Sequence, residues 1–144
     1  MSDKNLSYPK LTIITASYNG AKSLERSILS VLNQNYPCLE YVIIDGGSTD
    51  GSQDIIKKYE KHLSCWISEP DKGIADAWNK GLQKSTGEII GIVNSDDWYE
   101  SGSFKRAVTI FQQEPSVGVI HGNVRYWNGD KNLWIRRPHL EQKF

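Results

Sequence analysis

The sequence has few cysteines and no long hydrophobic run, and both absences exclude whole classes of protein. Its two cysteines, Cys38 and Cys65, are too few for a disulfide scaffold and lack the spacing of a metal site. No apolar stretch approaches the roughly 18 residues that a membrane-spanning helix needs. The polar residues 1–10 contain no apolar core of a secretory signal peptide. We therefore expect a cytoplasmic protein with reduced thiols and no membrane span.

An excess of charge of one sign is absent as well. The 144 residues carry 17 Lys+Arg and 17 Asp+Glu, so that the formal charges cancel. A protein that binds nucleic acid regardless of sequence needs a basic surplus, and the balance therefore argues against nucleic acid as a partner. A single domain of this length buries roughly two-thirds of the surface of its unfolded chain and needs no disulfide for stability.

Short β-rich runs alternate with longer amphipathic runs along most of the chain. Hydrophobic spacing predicts helices over residues 21–33, 74–84 and 103–113, and one that follows the capping residues 48–50 and runs to about residue 62. The β-rich runs predict strands over residues 11–16, 41–44, 65–68, 88–93 and 117–120. This alternation predicts a three-layer α/β/α fold, in which helices cover both faces of a mostly parallel sheet.

The segment after residue 122 has a different character. Residues 123–127 and 133–135 flank the turn-rich stretch N-G-D-K-N at 128–132, which predicts a β-hairpin. We expect a polar lead over residues 1–10, one α/β domain over residues 11–122, and a hairpin and tail over residues 123–144.

Polar and glycine-rich clusters follow the ends of four predicted strands, at residues 17–20, 45–47, 69–72 and 94–97. In open α/β sheets, ligands bind beyond the carboxyl ends of the strands. Turns are polar and glycine-rich in any protein, so one such cluster alone carries little weight. Together they predict a ligand site that collects an aromatic ring, several carboxylates and flexible backbone at one rim of the sheet.

The adjacent residues Asp96 and Asp97 are the sharpest feature of that rim. Two neighbouring carboxylates repel each other and need a cation or hydrogen-bond donors close by. Side chains of successive extended residues diverge, so the pair suits neither a shared proton nor the two sides of a glycosidic bond. It suits a strand-end turn in which one carboxylate binds Mg²⁺ or Mn²⁺ and the other binds a hydroxyl. A solvated turn or a helix cap is the alternative.

Further residues at the rim have chemistry that suits a bound nucleotide. Tyr18 can stack on a flat base, Asp45 can accept a hydrogen bond from an N–H group of that base, and Lys72 can meet a phosphate. Asp76 and Asn79 lie three residues apart on one helix face and can point into the same cleft. Core packing, helix capping and simple exposure to solvent are the alternative roles of these residues.

Motifs of other enzyme classes are missing. The sequence contains no G-x-G-x-x-G after its first predicted strand and no G-x-x-x-x-G-K-[ST], which speaks against dinucleotide and P-loop sites. It also contains no G-x-S-x-G, a motif of serine hydrolases. The chemistry of the site must therefore come from the polar clusters described above.

Three segments, in this order, resemble the family 2 glycosyltransferases of GT-A fold: T-A-S-Y-N-G at residues 15–20, D-G-G-S-T-D-G at 45–51 and N-S-D-D at 94–97. The segment E-P-D-K-G-I at 69–74, with D-A at 76–77 and N-K-G at 79–81, is similar to a bacterial branch of that family linked to surface polysaccharide synthesis. The resemblance covers roughly residues 10–127. It implies a Rossmann-like nucleotide-diphospho-sugar transferase fold, of which this chain is the N-terminal, donor-binding portion.

The resemblance implies transfer of a sugar from a nucleotide-sugar donor, often a UDP-sugar, to a hydroxyl of a saccharide or lipid-linked saccharide acceptor. It implies inversion at the anomeric centre and Mg²⁺ or Mn²⁺ as cofactor, with Asp97 at the metal that bridges the diphosphate. The nucleotide-binding residues that it implies are Ala16, Ser17, Tyr18, Asn19, Asp45, Lys72, Asp76 and Asp96. A cytoplasmic location, including the inner face of the membrane, fits this function.

This sequence departs from the family pattern in its length and at Gly46. Many members carry a second aspartate at the position of Gly46. This difference bears on how the chain would contact the base. Family catalytic domains are usually longer, and their later part supplies acceptor contacts and the general base. We therefore assign no catalytic base, and we expect donor binding rather than transfer from this chain alone. We also expect self-association through sheet edge or apolar surface that a missing half would leave open.

Two other functions remain open on the residues alone. A non-catalytic nucleotide-binding or interaction module could keep the fold without a general base. A nucleotidyltransferase would share the sheet and the metal-binding carboxylates. That class opens with a glycine-rich basic loop, whereas residues 17–20 contain no basic residue.

Overall fold

Strands and helices alternate along the chain and are followed by a hairpin. The computed structural model describes residues 8–128 and 131–136. Two compact units divide the chain, one up to Val108 and one from Thr109 onward. In chain order the elements are β1 (Leu11–Ser17), α1 (Leu24–Leu32), β2 (Leu39–Asp45), α2 (Ser52–Lys58), a 3₁₀ turn (Glu60–His62), β3 (Cys65–Ser68), α3 (Ile74–Lys84), β4 (Ile89–Asn94), α4 (Ser103–Gln113), β5 (Val124–Asn128) and β6 (Lys131–Arg136).

The sheet of the first unit is fully parallel, with its four strands in the order β3-β2-β1-β4. Ser17 at the end of β1 pairs with Asp45 of β2, which in turn pairs with Ser68 of β3. On the other side of β1, Ala16 pairs with Asn94 of β4. The carboxyl ends of these strands therefore lie at one edge of the sheet, where the polar clusters follow them.

Helices cover both faces of this sheet, which confirms the predicted three-layer fold. On one face, α3 packs on β1 and β2 through Ala16, Val42, Ile44 and Ala77. Because both faces are covered, every residue of β1 is buried, as expected for a central parallel strand. On the other face, α1, α2 and the start of α4 contribute to a core formed by Leu11, Ile13, Leu24, Ile28, Val31, Tyr36, Tyr41, Ile43, Ile56, Val93, Phe104 and Val108.

Gly81 brings α3 close to β1. A Cβ atom built on Gly81 would lie 2.4 Å from Cγ2 of Ile14, far inside van der Waals contact. Glycine in a helix interior is less stable than alanine by roughly 0.5–1 kcal/mol, and the close helix–sheet packing offsets that cost.

A buried carboxylate ties the amino-terminal end of the sheet together. Glu40 accepts hydrogen bonds from Oγ1 of Thr12 at 2.5 Å and from N and Oγ1 of Thr86, both at 2.7 Å. Nζ of Lys10 lies 2.8 Å from the same carboxylate. Burial raises the pKa of Glu40, but the hydrogen bonds from Lys10, Thr12 and Thr86 outweigh burial and lower this pKa to about 2. The charged form of Glu40 therefore stabilises the fold.

The predicted alternation agrees with the structure up to the end of α4. The bounds of β3, α3 and α4 are those predicted, and β1, β2 and β4 differ from prediction by one or two residues at an end. The helix predicted after residues 48–50 is α2, which is shorter than predicted and passes into the 3₁₀ turn. None of the described helices is both long and apolar enough to cross a membrane.

The predicted fifth strand over residues 117–120 is wrong. Within the described part of the chain, these residues belong to no sheet. N of Val117 donates to O of Glu114 at 2.9 Å and so closes a turn directly after α4. Val119 is 80% exposed, so the β-branched residues that suggested a strand here are not packed in the sheet.

The predicted hairpin is confirmed in the second unit, where β5 and β6 pair antiparallel. The rings of Tyr126 and Trp134 stack across the two strands, with 4.0 Å between their centroids. The turn residues 129–130, most of the predicted lead (1–7) and most of the predicted tail (137–144) lie outside the described residues. The predicted domain limits stay predictions.

Candidate functional site

A cleft of about 960 Å³ opens at the carboxyl edge of the sheet. The ends of β1 and β4, the start of α1 and the start of α3 all contribute to it. The lining residues are Ala16, Ser17, Tyr18, Asn19, Gly20, Lys22, Ser23, Gly46, Asp50, Pro70, Asp71, Gly73, Ile74, Ala77, Asn94, Ser95 and Asp96.

The turn after β1 is held by side chains just before α2 and at its first residue. N of Asn19 donates to Oγ of Ser48 at 2.7 Å, and N of Gly20 donates to Oγ of Ser52 at 3.0 Å. Asn19 has a positive φ of 49°, a conformation that asparagine tolerates better than most residues. The turn leaves the side chain of Tyr18 67% exposed in the cleft. A flat ligand can therefore reach the Tyr18 ring.

Ser17 contributes a polar atom to the cleft that has no partner in the fold. Its residue is 4% exposed, and its Oγ is buried without a hydrogen bond among the described residues. Buried polar groups are almost always hydrogen-bonded, so an orphaned hydroxyl in the wall of a cleft marks a contact that a ligand can complete.

The carboxylate of Asp45, at the end of β2, is already hydrogen-bonded within the fold. The residue is fully buried. It accepts hydrogen bonds from N of Ser48 at 2.9 Å, from Oγ of Ser48 at 2.5 Å and from Oγ of Ser68 at 2.7 Å. These contacts fix the loop between β2 and α2 and link it to β3. Asp45 is not among the residues that line the cleft.

Lys72 and Asp76 stand beside the cleft and are not part of its lining. Asp76 accepts a hydrogen bond from N of Lys72 at 3.1 Å, and its carboxylate lies 3.5 Å from Nζ of Lys80. The Lys72 hydrogen bond is the main cause that lowers the pKa of Asp76, and the charge of Lys80 contributes further. Asp76 thus bonds the backbone just before α3 and pairs with Lys80 within that helix. Asn79 is exposed and does not line the cleft either.

Sequence reasoning did not single out three charged residues that line the cleft: Lys22, Asp50 and Asp71. Asp50 accepts a hydrogen bond from N of Ala21 at 2.9 Å and so links α2 to the turn after β1. Asp71 belongs to the polar cluster at residues 69–72, in which the sequence pointed to Lys72 as the ligand contact. The direction of a side chain in such a loop depends on tertiary contacts and is not visible in the sequence.

The predicted acidic pair follows β4. Asp96 lines the cleft, and N of Asp97 donates to O of Asn94 at 3.1 Å to close the turn. Burial raises the pKa of Asp97, and the charge of Asp96 raises it further. A cation beside the pair would relieve this repulsion, and carboxylates are ligands that Mg²⁺ and Mn²⁺ prefer. Among the described residues, no group of three or more His, Cys, Asp or Glu is placed to hold a metal, so a cation here would need further ligands.

One face of α1 holds the loop that carries the acidic pair. Ser27 and Ser30 of α1, one turn apart on the helix, and Gln34, two residues beyond its end, bond the backbone of β4, the loop and the start of α4. The four hydrogen bonds are Ser27 Oγ to Asn94 O (3.1 Å), Tyr99 N to Ser30 Oγ (3.1 Å), Gln34 Nε2 to Glu100 O (3.0 Å) and Phe104 N to Gln34 Oε1 (3.4 Å). Side chains of α1 and of Gln34 just beyond it therefore hold the segment that carries the acidic turn after β4.

Comparison with sequence families gives a match over nearly the whole chain. The profile of the family described as Glycosyl transferase family 2 matches residues 12–144. An uncharacterised glycosyltransferase of Nostoc sp. is 36% identical over 115 residues, which is 78% of this chain and 36% of that protein. An uncharacterised glycosyltransferase of Haemophilus influenzae is 32% identical over 88% of this chain and 52% of its own length. Chondroitin synthase of Escherichia coli is 32% identical over 87% of this chain and 18% of its own length.

Comparison with solved structures gives GT-A glycosyltransferases. The mannosyltransferase PcManGT from Pyrobaculum calidifontis, solved in complex with GDP-Man and Mn²⁺, has a TM-score of 0.71 and 30% identity over 78% of this chain and 35% of its own. TarS 1–349 of S. aureus, solved in complex with UDP-GlcNAc, has a TM-score of 0.67 and 26% identity over 74% of this chain and 32% of its own.

The chain spans about a third to a half of the length of the first two curated relatives. Over that span, the profile match, the identity with several glycosyltransferases and the parallel sheet with its carboxyl-end cleft all agree. This chain belongs to glycosyl transferase family 2 and has the GT-A fold.

Proposed function

We propose that this chain binds the nucleotide-sugar donor of a metal-dependent, inverting glycosyltransferase. In the whole protein, the sugar of a nucleoside diphosphate sugar, in the first instance a UDP-sugar, passes to a hydroxyl of a saccharide or lipid-linked saccharide. The observation that carries this proposal is the cleft at the carboxyl edge of the sheet. Tyr18, Asp96 and Ser17, whose hydroxyl has no partner among the described residues, all line it.

Several features of the cleft support a nucleotide as its occupant. Its volume is about 960 Å³, at the upper end of the range for small-molecule sites. The exposed ring of Tyr18 offers a stacking surface for a base, and Oγ of Ser17 offers an unused hydrogen bond. PcManGT has been solved with GDP-Man and TarS with UDP-GlcNAc, and both share this fold.

Asp96 and Asp97 are the residues that would hold Mg²⁺ or Mn²⁺. Such ions commonly take one or two carboxylates and complete their coordination with phosphate oxygens and water, which fits a site with two adjacent aspartates. PcManGT has been solved with Mn²⁺. A bound ion would stabilise the negative charge that grows on the diphosphate as the bond to the sugar breaks. In this chain, Ser27 and Ser30 of α1 hold the segment that carries the acidic turn, and a cation would offset the burial and the charge of Asp96 that raise the pKa of Asp97.

Binding of the nucleotide without transfer is the second candidate function. Attack by an acceptor hydroxyl requires a general base, and we assign none among residues 8–128 and 131–136. The span of a third to a half of the relatives' length is the observation that favours testing binding and transfer separately.

Calorimetric titration of the purified chain with nucleoside diphosphates tests the proposal. UDP, GDP, CDP and ADP are compared in Mn²⁺ and in a chelator, with the wild type, Asp97→Ala and the exposed control Asp54→Ala. We expect Mn²⁺-dependent binding with a preference for one base, weakened about tenfold or more in Asp97→Ala and unchanged in Asp54→Ala. A calorimetric response that does not differ among the four nucleotides would contradict the proposal. Donor hydrolysis and transfer, measured on the same samples, separate a transferase from a binding module.

A further inference from the structure

The carboxylate of Asp71 occupies the space that a side chain at position 46 would fill. A Cβ atom built on Gly46 would lie 2.8 Å from Oδ2 of Asp71 and 3.2 Å from Cδ2 of Tyr18. All three residues line the cleft. A carboxylate oxygen, bare backbone and the edge of the exposed tyrosine ring therefore meet at one point of the cleft wall.

The orientation of this carboxylate is fixed from one side. N of Gly73 donates to Oδ1 of Asp71 at 2.8 Å, which anchors the side chain to its own loop. Within the described residues, Oδ2 has no hydrogen-bond or salt-bridge partner. Lys80, the cation nearest in sequence on α3, pairs with Glu69 at 2.8 Å and with Asp76 at 3.5 Å instead. Oδ2 thus remains a charged acceptor that is free to take a hydrogen bond from a ligand.

Asp45, at the end of the neighbouring strand, cannot offer the same contact while its present bonds last. It is fully buried, and both of its oxygens accept hydrogen bonds from Ser48 or Ser68. Loss of these bonds would leave the hydroxyls of Ser48 and Ser68 without this acceptor and would loosen the loop after β2, which contributes Gly46 and Asp50 to the cleft. The accessible acceptor beside the Tyr18 ring is the carboxylate of Asp71.

We propose that Asp71 selects the nucleobase by accepting a hydrogen bond from a ring N–H group of a base stacked on Tyr18. This inference rests on the proposed binding of a nucleoside diphosphate. Uracil at N3 and guanine at N1 carry such a hydrogen, whereas cytosine at N3 and adenine at N1 present a lone pair that repels a carboxylate. A charged hydrogen bond gained by one base and a charge repelled by another give discrimination of about tenfold to a hundredfold. The site therefore prefers uridine or guanosine diphosphates to cytidine and adenosine diphosphates.

Replacement of Asp71 by asparagine tests the hydrogen bond with little change of shape. Affinities of UDP, GDP, CDP and ADP are measured in Mn²⁺ for the wild type, Asp71→Asn and Asp71→Ala. In Asp71→Asn we expect the preference for the better of UDP and GDP over CDP to fall about tenfold or more, because an amide can also donate to N3 of cytosine. Asp54→Asn is the control for the same change of group, since Asp54 is exposed and does not line the cleft. Its preference should equal that of the wild type.

A second experiment moves the carboxylate across the contact. In Gly46→Asp alone, the new side chain crowds Asp71, and we expect weaker binding of all nucleotides. In Gly46→Asp with Asp71→Ala, the space is open again and a carboxylate returns to the same point, so the base preference should recover. The φ of Gly46 lies outside the positive range that only glycine adopts easily, and aspartate is therefore tolerated there.

The outcomes separate this inference from the function on which it rests. If Asp71→Asn binds nucleotide in a Mn²⁺-dependent manner with the wild-type base preference, Asp71 does not select the base, while the proposed function stands. If the wild type binds no nucleotide, the proposed function itself fails. A folded double variant without base preference would also overturn the inference. If the double variant does not fold, as judged by its circular dichroism melt, the two single variants at Asp71 decide the question.

Discussion

The guanidinium carbon of Arg26 lies 3.4 Å from the centre of the Trp98 ring. Arg26 belongs to α1, and Trp98 directly follows the acidic pair Asp96 and Asp97. The stack therefore adds a side-chain contact to the four hydrogen bonds by which α1 and Gln34, just beyond its end, hold the backbone around this loop.

Loss of this stack should loosen the acidic turn without removing a metal ligand. Cation–π contacts of this kind contribute roughly 0.5–2 kcal/mol, so we expect Arg26→Ala to weaken Mn²⁺-dependent binding of UDP several-fold. Arg26→Lys should retain only part of the wild-type affinity, because the lysine ammonium is not planar and cannot stack on the ring as a guanidinium does. Calorimetric titration in Mn²⁺ and in chelator measures the effect, and Lys57→Ala on the exposed side of α2 is the control. An unchanged affinity for UDP in Arg26→Ala would show that the stack does not position the turn.

The raised pKa of Asp97 predicts the pH dependence of metal-dependent binding. A carboxyl group must lose its proton to bind a cation, so binding should weaken as pH falls, starting at a higher pH than for an ordinary aspartate. Asp96→Asn removes the like charge that contributes to this shift, and the acid limb should then move to lower pH although overall affinity falls. UDP binding in Mn²⁺, measured from neutral pH to about pH 4, tests this prediction. If the acid limb of the binding curve lies at the same pH in Asp96→Asn as in the wild type, Asp97 does not govern the pH dependence of binding.

The contacts of the Glu40 carboxylate with Lys10, Thr12 and Thr86 predict that acid destabilises the fold. The pKa of Glu40 is about 2 in the folded chain, against 4.5 for an ordinary glutamate, so its contribution is present above about pH 4.5 and is lost as pH falls towards 2. We expect Glu40→Gln to lower the free energy of unfolding at neutral pH by about 2–3 kcal/mol and to flatten its dependence on pH below 4.5. Urea unfolding at several pH values measures this dependence. The exposed Asp54→Asn should leave the curve unchanged, and a Glu40→Gln curve parallel to the wild type would contradict the account.

The close packing at Gly81 predicts that its replacement by alanine reverses the usual effect. In an open helix, glycine to alanine stabilises by up to about 1 kcal/mol. Here the new methyl group would lie 2.4 Å from Cγ2 of Ile14, and overpacking costs about 1–3 kcal/mol. We expect Gly81→Ala to lower the melting temperature by several degrees, whereas Gly118→Ala, where nothing lies within 4 Å, should not. A more stable Gly81→Ala protein would mean that α3 can shift away from β1 without loss.

The sequence was sufficient for the sheet and its helices because their hydrophobic patterns are local and long. Residues 74–84 keep helical spacing through eleven positions, and the structure forms α3 over this range. At residues 117–120 the same kind of inference failed, since a short β-branched run can lie exposed in a turn as easily as in a strand. Burial of such a short run depends on its tertiary neighbours.

Within the site, the sequence located the polar clusters and could not say which member of each faces the cleft. Asp45 at the end of β2 and Asp71 after β3 carry the same group, yet the first is bonded to Ser48 and Ser68 and the second lines the cleft. Ser48 and Ser68 lie 20 residues apart in sequence and meet only because β2 and β3 are neighbours. Contacts of that kind decide the direction of a side chain.

A crystal structure of the chain with UDP and Mn²⁺ would show whether the cleft holds the nucleotide. We expect the diphosphate at the carboxyl edge of the sheet, the base against the ring of Tyr18, and the metal ion on Asp97 or Asp96. Nucleotide density at another surface, with the ion away from both aspartates, would contradict this expectation.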